Sequence, residues 1–155
     1  MQVSDILRVK GGTLFTVQPD EPLSLAMTDM AEKDIGSLVV MDRGQLVGML
    51  TFREVIQRIV KNGGQVGSTK VREAMEAQPQ TCSGATDIDE VRRMMLEHHA
   101  RYMPVMDDQM LMGVISFYDV AKAVVDSQNF ENTMLKAYIR DWPDASSSEA
   151  GNAKQ

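Results

Sequence analysis

One pattern occurs twice in this chain, 65 residues apart. Residues 48–55 read GMLTFREV and residues 113–120 read GVISFYDV, and each places an apolar run before a hydroxyl residue, a phenylalanine and a carboxylate. The similarity extends through residues 16–60 and 81–125, where apolar positions largely coincide. A duplication of this kind predicts two similar structural units, each too small to bury its own apolar face, which pack against each other.

Each copy predicts the order β-α-β-β-α. Apolar residues recur at helical spacing from Leu23 and again from Ile88, and a closing helix is predicted at 52–60 and at 117–125. Short apolar runs separated by polar turns predict the strands. The predicted strands are 15–17, 37–41 and 45–50 in the first copy and 80–82, 102–106 and 110–115 in the second.

The expected fold class is therefore α/β (α+β), with tandem repeats packed sheet to sheet as a pseudo-twofold pair, plus a C-terminal helix. The segments VSDIL (3–7) and VREAM (71–75) are matching lead-ins. The expected organisation is repeat 1 at 1–62, a Gly-rich linker at 63–70, repeat 2 at 71–126, a C-terminal helix at 127–142 and a disordered polar tail at 143–155.

Composition excludes several classes of partner. The net charge is −6 and no basic run occurs, so binding to nucleic acid or to an anionic membrane surface is not expected. The single cysteine, Cys82, allows no intrachain disulfide, and no signal peptide or membrane-length apolar run is found. We therefore expect a cytoplasmic protein.

The repeated pattern resembles a tandem of cystathionine-β-synthase (CBS) domains, often called a Bateman module. The resemblance covers residues 3–125 and rests on the two lead-ins together with IGSLVVMDRGQLVGMLTFREV and ARYMPVMDDQMLMGVISFYDV. The tail FENTMLKAYI also resembles that of short bacterial proteins that consist of a CBS pair alone. The resemblance implies clefts that bind AMP, ADP, ATP, NAD or S-adenosyl compounds, assembly into homodimers, and a role as a sensor that signals to an effector protein not specified by the sequence.

The hydroxyl-x-x-carboxylate motif has two possible interpretations. Thr51 and Glu54 fit a capping box, in which the threonine accepts from a helix amide and the glutamate reaches back to the N-cap amide. In the family, the corresponding aspartate holds a ribose and the hydroxyl lies near phosphate. The resemblance carries this ligand role fully to Ser116 and Asp119, whereas Glu54 departs from the pattern and leaves both interpretations open for the first copy.

The resemblance also implies which residues form the walls of the two clefts. Arg101 is either a phosphate ligand or a solvated surface residue, and Cys82 is either a buried apolar residue or part of a cleft wall. Gly36 would let a flat base approach the backbone. The expected ligand-binding residues are Thr16, Val17, Ala26, Ile35, Gly36, Ser37, Ser116, Tyr118 and Asp119 for one cleft, and Thr51, Glu54, Thr81, Cys82, Arg101, Tyr102, Met103 and Pro104 for the other.

Catalysis and metal binding are not expected. His98 and His99 are adjacent on a predicted helix, so their side chains diverge by about 100° and cannot readily chelate one metal. The chain shows no set of nucleophile, base and orienting residue. Two functions remain in competition, a nucleotide-sensing regulatory module and a protein-interaction scaffold that has lost its ligand. An apolar face with Phe130, Met134 and Tyr138 is expected either to dock on its own domain or to form a dimer contact.

Overall fold

The computed structural model describes residues 1–140, except the side chain of Tyr138. The described chain forms six helices and two sheets, and it divides into two compact units, of which the first is Met1–Phe117 and the second begins at Tyr118. The predicted tail at 143–155 and the last two residues of the predicted C-terminal helix lie outside the described residues.

The first repeat contains most of one four-stranded sheet. Its elements are α1 (Val3–Lys10), β1 (Thr16–Val17), α2 (Leu23–Lys33), β2 (Ser37–Asp42), β3 (Gln45–Thr51) and α3 (Phe52–Lys61). Strand β1 pairs parallel to β2, and β2 pairs antiparallel to β3. The β2–β3 hairpin carries an irregularity in register after Val40. These are the strands that the apolar runs and polar turns predicted.

The second repeat has a similar series of elements, but its first strand lies before the position equivalent to β1. Its elements are α4 (Val71–Ala74), β4 (Glu76–Ala77), α5 (Ile88–His98), β5 (Tyr102–Asp107), β6 (Met110–Ser116) and α6 (Phe117–Arg140). Strands β5 and β6 are antiparallel, and their register shifts after Val105, the position equivalent to Val40. The predicted strand at 80–82 is wrong as a strand, because the only ladder contact there is one parallel bridge from Cys82 to Val105.

The two lead-in helices are exchanged between the repeats. The Val3 amide at the start of α1 donates to the Thr86 carbonyl of repeat 2 at 3.0 Å, and the Val71 amide at the start of α4 donates to the Glu21 carbonyl of repeat 1 at 2.9 Å. Strand β4 then pairs antiparallel with β3, adding a strand to the sheet of repeat 1. Each lead-in therefore packs on the other repeat, and this exchange ties the two repeats together.

Two equivalent glycines accommodate the exchanged segments. A Cβ at Gly48 would lie 2.9 Å from the Glu76 carbonyl oxygen of β4, and one at Gly113 would lie 2.9 Å from a Leu7 methyl group of α1. Both distances are shorter than a carbon atom tolerates, so the missing side chain makes room for the lead-in at each site. This explains why glycine occurs at both positions of the repeated pattern.

Helix α3 has two apolar faces, of which only one is covered within the described residues. Val55 belongs to the core of repeat 1, and Ile59 packs against that core. By contrast, Phe52, Ile56 and Val60 are each more than half exposed. The single apolar face predicted for this helix therefore divides into a core side and an exposed apolar row.

Helix α6 joins two segments that the sequence analysis treated as successive helices. It runs without interruption from Phe117 to Arg140. No glycine or proline occurs within it, so nothing in the backbone chemistry ends the closing helix at residue 125. On the part of α6 within the second unit, Phe130, Met134 and Leu135 are each more than half exposed.

Candidate functional site

The site begins at the junction of β3 and α3. Thr51 is the last residue of β3 and pairs with Ser37 at the start of β2, so the N-terminus of α3 opens beside the β2 strand. Thr51 keeps an extended backbone, and its hydroxyl donates to the Glu54 carboxylate, 2.9 Å from Oε1 and 3.0 Å from Oε2. The side chain of Glu54 is only 6% exposed.

The capping-box interpretation of this motif is wrong. The Thr51 side chain accepts no hydrogen bond from the helix amides, because its hydroxyl instead donates to the glutamate. The Glu54 carboxylate also accepts from Arg53 Nε at 3.2 Å, so it is drawn toward these two side chains. A buried carboxylate requires charge-assisted donors of this kind, and here they compete successfully with the capping arrangement.

Arg53 links the two repeats. While its Nε contacts Glu54, its Nη1 donates to the backbone carbonyl of His99 at 2.8 Å. His99 is the C-cap of α5 and has a left-handed backbone conformation, with φ at 52°. Carbonyls at the end of a helix lack intrahelical partners, so a guanidinium is a favourable donor at that position. One arginine thus joins a buried carboxylate of repeat 1 to the helix end of repeat 2.

A cleft of about 620 Å³ opens over these groups and takes its walls from both repeats. Its charged side chains include two arginines, Arg53 and Arg101, and two glutamates, Glu54 and Glu76. The remaining lining residues are mostly apolar or aromatic and include Phe52, Ile56, Met95, Leu96, Tyr102 and Phe117. Aromatic and aliphatic walls with a few polar groups suit a small planar ligand.

Four of the residues expected around Glu54 line this cleft, and four do not. Thr51, Glu54, Arg101 and Tyr102 are brought together. Among the others, Thr81 is exposed, and Cys82, Met103 and Pro104 are buried in repeat 2 and are not part of this lining. The sequence analysis missed Arg53 and His99. Arg53 could have been predicted as a partner of Glu54, because it lies next to that carboxylate within the motif and carries the opposite charge.

Residues expected around Asp119 are distributed between the core of repeat 1 and its surface. Val17 and Ala26 are buried members of the core, whereas Thr16 is exposed and Ile35 and Ser37 are half-buried. Above Gly36 lies Tyr102 of repeat 2, whose Cζ would be 2.9 Å from a Cβ at that position. The Tyr102 side chain therefore occupies the space beside Gly36 that was expected to admit the base of a ligand.

The three predicted residues at the start of α6 are divided between the two units. Ser116 ends β6 opposite Tyr102, within the unit Met1–Phe117. Tyr118 and Asp119 belong to the following unit, and the side chain of Tyr118 is 74% exposed. A joint site formed by Ser116, Asp119 and the residues of repeat 1 therefore stays a prediction.

Cys82 has a strongly perturbed thiol. Burial raises its pKa to about 11, and the nearest acceptor is the Pro104 carbonyl, 3.9 Å from Sγ. The thiolate is the reactive form of cysteine, so this residue is a protonated, packed thiol at neutral pH. Of the two interpretations of Cys82, the structure supports the buried apolar residue.

No cluster of three or more His, Cys, Asp or Glu side chains with metal-binding geometry occurs within residues 1–140. Across that same range, none of the helices combines the length and the apolar character needed to cross a membrane.

The chain belongs to the CBS domain family. The CBS domain family model matches residues 3–61 and again residues 71–126. The resemblance inferred from the repeated motif is thus confirmed, and so is the expected fold class, a pair of α/β repeats with a C-terminal helix.

Individual relatives agree with this assignment. A putative signal-transduction protein with CBS domains from Burkholderia ambifaria has a similar structure, with a TM-score of 0.77, 33% identity, and coverage of 83% of this chain and 96% of that one. The mitochondrial CBS domain-containing protein CBSX3 of Arabidopsis thaliana is 29% identical over 147 residues, which cover 89% of this chain and 71% of CBSX3. The structure of CBSX2 in complex with AMP shares the fold, with a TM-score of 0.67, 24% identity, and coverage of 82% and 98%.

Proposed function

We propose that this protein is a regulatory module that binds an adenosine-containing nucleotide between its two CBS repeats. The observation that carries the proposal is the cleft over Thr51 and Glu54, which is lined by both repeats and combines aromatic walls with two arginines. A ligand that contacts both repeats changes the balance between two arrangements of the pair by its difference in affinity for them. Binding would thereby be converted into a change of conformation or assembly.

The ligand class follows from the family and from the chemistry of the cleft. CBSX2 was solved with AMP, which is an example of an adenosine nucleotide held by this fold. Phe52, Tyr102 and Phe117 offer flat apolar surfaces for a base, and Arg101 offers a guanidinium for phosphate. We propose AMP, ADP, ATP or NAD as ligand, without a metal requirement.

The second cleft of the proposal is built on Ser116 and Asp119. An aspartate carboxylate can accept from both hydroxyls of a ribose, and a serine at a helix N-terminus suits phosphate. The expected walls are those residues predicted from the resemblance, namely Thr16, Val17, Ala26, Ile35, Gly36 and Ser37, with Tyr118 beside the motif. We propose this cleft as the tighter of the two, because Asp119 retains the family's residue.

We also propose that the protein works as a homodimer in the cytoplasm and signals to an effector protein. The exposed apolar side chains of α6, Phe130, Met134 and Leu135, are of the kind that a second copy would cover. The reduced, buried Cys82 suits a reducing compartment. The proposed organisation keeps repeat 1 at 1–62, the linker at 63–70, repeat 2 at 71–126, a C-terminal helix at 127–142 and a tail at 143–155.

A second candidate function is a protein-interaction scaffold without a ligand. Two observations favour it: Glu54 is already engaged by Thr51 and Arg53, and the Tyr102 ring lies over Gly36. In both places a side chain of the protein lies where a ligand group is expected. A scaffold would keep the fold and the exposed apolar surfaces while using neither cleft.

Native mass spectrometry together with thermal shift separates the two functions. The freshly purified protein is expected to have the mass of a dimer, and AMP, ADP, ATP or NAD at 100 times the Kd is expected to stabilise it by about 2.7 kcal/mol through mass action. Inorganic phosphate and guanosine monophosphate serve as matched controls for charge and base. Equal, negligible shifts with every nucleotide would favour the scaffold, and a monomer mass at tens of micromolar protein would reject the dimer.

A further inference from the structure

Arg53 makes contacts that its equivalent in the second repeat cannot make. Its guanidinium lies between the Glu54 carboxylate, 3.2 Å from Nε, and the His99 carbonyl, 2.8 Å from Nη1. The residue 65 positions later is Tyr118, which has no cationic group. Arg53 is therefore not part of the repeated pattern, and the bridge that it forms from Glu54 to repeat 2 is specific to the Thr51–Glu54 cleft.

The carboxylate of Glu54 is already hydrogen-bonded on both oxygens. Oε1 accepts from the Thr51 hydroxyl, and Oε2 is within hydrogen-bonding distance of that hydroxyl and of Arg53 Nε. The side chain is 6% exposed, so few directions remain from which a further donor can approach. A ribose diol needs two such approaches to the same carboxylate. It can obtain them only if Arg53 moves away.

We propose that Arg53 is an internal ligand of the Thr51–Glu54 cleft, which a ribose-containing ligand must displace from Glu54. The proposal rests on the proposed nucleotide-binding function. It makes Arg53 the residue that sets the selectivity of this cleft, since the arginine competes directly for the carboxylate that would recognise ribose. The empty state is stabilised because the buried negative charge of Glu54 is paired with Arg53 rather than left alone.

Displacement of Arg53 also has a structural consequence. The same guanidinium that neutralises Glu54 holds the carbonyl at the C-terminal end of α5. A ligand that takes Glu54 from Arg53 therefore loosens one contact between repeat 1 and repeat 2. Ligand binding in this cleft would then increase hydrogen exchange at residues 98–102, where α5 ends and β5 begins.

The test measures adenosine binding and local hydrogen exchange in the full chain. Arg53→Ala removes the competitor, and Arg53→Tyr introduces the residue that repeat 2 has at the equivalent position. Arg53 is partly exposed, so both variants are expected to fold. Binding is measured in an Asp119→Ala background, so that the cleft proposed to be tighter does not mask the result. There we expect Arg53→Ala to strengthen adenosine binding by about tenfold or more, because one charge-assisted competitor is removed. Adding Glu54→Ala to Arg53→Ala should abolish the gain, which assigns it to this cleft.

Each outcome of the test bears on a different claim. Adenosine affinity that is unchanged or weaker in Arg53→Ala overturns the internal-ligand proposal, because a purely structural tie or a ligand contact would behave in that way. Hydrogen exchange in 98–102 should be faster in Arg53→Ala than in the wild type, and equal rates would overturn the bridge to His99. If the wild type and every variant bind neither adenosine nor AMP, the proposed function itself is overturned, while the exchange result still decides the bridge.

Discussion

In repeat 1 the residue after the phenylalanine that both copies of the motif share is Arg53, which donates to Glu54 and to the His99 carbonyl. The same position of repeat 2 holds Tyr118, whose side chain is 74% exposed. At another pair of equivalent positions, Ser37 in repeat 1 corresponds to Tyr102 in repeat 2. The ring of Tyr102 fills the space over Gly36, which a serine in its place would leave open.

The backbone contacts that join the repeats are, by contrast, nearly symmetric. The Leu23 amide donates to Thr69 at 2.8 Å, and its equivalent, the Ile88 amide, donates to Met1 at 3.0 Å. Such contacts need no particular side chain, so they persist when the sequences of the repeats diverge. The cleft contacts depend on individual side chains, and there the repeats have diverged. The comparison teaches that a nearly symmetric backbone can carry different side-chain chemistry at equivalent positions of the two repeats.

The largest expected effect separates the two motif carboxylates. Asp119→Ala should weaken adenosine-nucleotide binding by about 10- to 150-fold, because it removes charge-assisted bonds to ribose that contribute about 1.5–3 kcal/mol. Glu54→Ala should change the affinity of the tighter site little, since Glu54 is engaged by Thr51 and Arg53. Isothermal titration calorimetry with AMP measures both.

Asp126→Ala provides the control for the first comparison, because it removes an exposed carboxylate from the same helix. It should leave AMP affinity unchanged. The assignment of the tighter cleft would be wrong if Glu54→Ala abolished binding while Asp119→Ala left it intact.

The second prediction uses the position where repeat 2 has Cys82 and repeat 1 has Val17. Burial raises the pKa of the Cys82 thiol from 9.0 to about 11, so the folded state holds this proton more tightly than the unfolded state. The associated stability is fully present below pH 9 and is lost as the pH rises toward 11. Cys82→Val removes this titration, and near pH 11 the wild type should have lost about 2 kcal/mol more than the variant, relative to pH 7.

Chemical denaturation at a series of pH values from 7 to 11 measures this difference. Other groups titrate equally in both proteins, so subtraction isolates the cysteine. Parallel curves for the two proteins would show that the thiol ionises as easily in the folded chain as in the unfolded one. A thiol reagent supplies an independent check, since Cys82 should react slowly at pH 7 until the protein is unfolded.

The third prediction compares the two glycines that face the exchanged lead-ins. At Gly48 a Cβ would meet the Glu76 carbonyl, a backbone atom that cannot move without shifting β4. At Gly113 it would meet the end of the flexible Leu7 side chain. Gly48→Ala should therefore lower the free energy of unfolding by about 1–3 kcal/mol, and Gly113→Ala by less than about 1 kcal/mol.

Urea denaturation of the two variants tests this order. Gly44→Ala is a further reference. Gly44 has a φ of 79° and nothing within 4 Å of an added Cβ, so any loss in the free energy of unfolding in this variant comes from backbone strain alone. Equal losses at Gly48 and Gly113 would mean that the two lead-ins are held with the same rigidity.

The two hairpins could be predicted because they depend on local periodicity, and the family because its motif occurs twice. The strand predicted at 80–82 was wrong, and β4 was not predicted. The β2–β3 and β5–β6 hairpins lie where apolar runs flank polar turns. The exchange of α1 and α4 could not be predicted in this way. An apolar pattern shows which face of a helix is buried, but it does not show which repeat covers that face.

The cleft was partly predicted for a related reason. Arg101 and Tyr102 were found through the family resemblance, because they lie next to a strand that the repeat fixes in position. Thr51 and Glu54 line the cleft, and their role toward a ligand stays a prediction. Their hydrogen-bond partners were not predicted, since the capping box considered only the helix amides. The competing donor, Arg53, acts across two repeats, and sequence proximity to Glu54 alone does not reveal its contact with His99.

The smallest expected effect concerns an ion pair that one lead-in has and the other lacks. Arg72 of α4 donates to Asp20 at 2.9 Å, whereas the equivalent positions in the other half hold Ser4 and Ala85. The hydrogen bond from Arg72 holds the pKa of Asp20 below its usual value, so the contribution of the pair is present above the unfolded pKa of 3.8 and is lost as the pH falls through the lower folded value. Asp20→Asn should lower the melting temperature slightly at pH 7, and the difference should shrink both in acid and in 1 M salt.

Glu32→Gln, which removes an exposed carboxylate from α2, is the matched control for the change of charge. A loss at Asp20 that persists undiminished in salt and acid would mean that the side chain acts through packing or backbone geometry, and that the asymmetry between the lead-ins is steric rather than electrostatic.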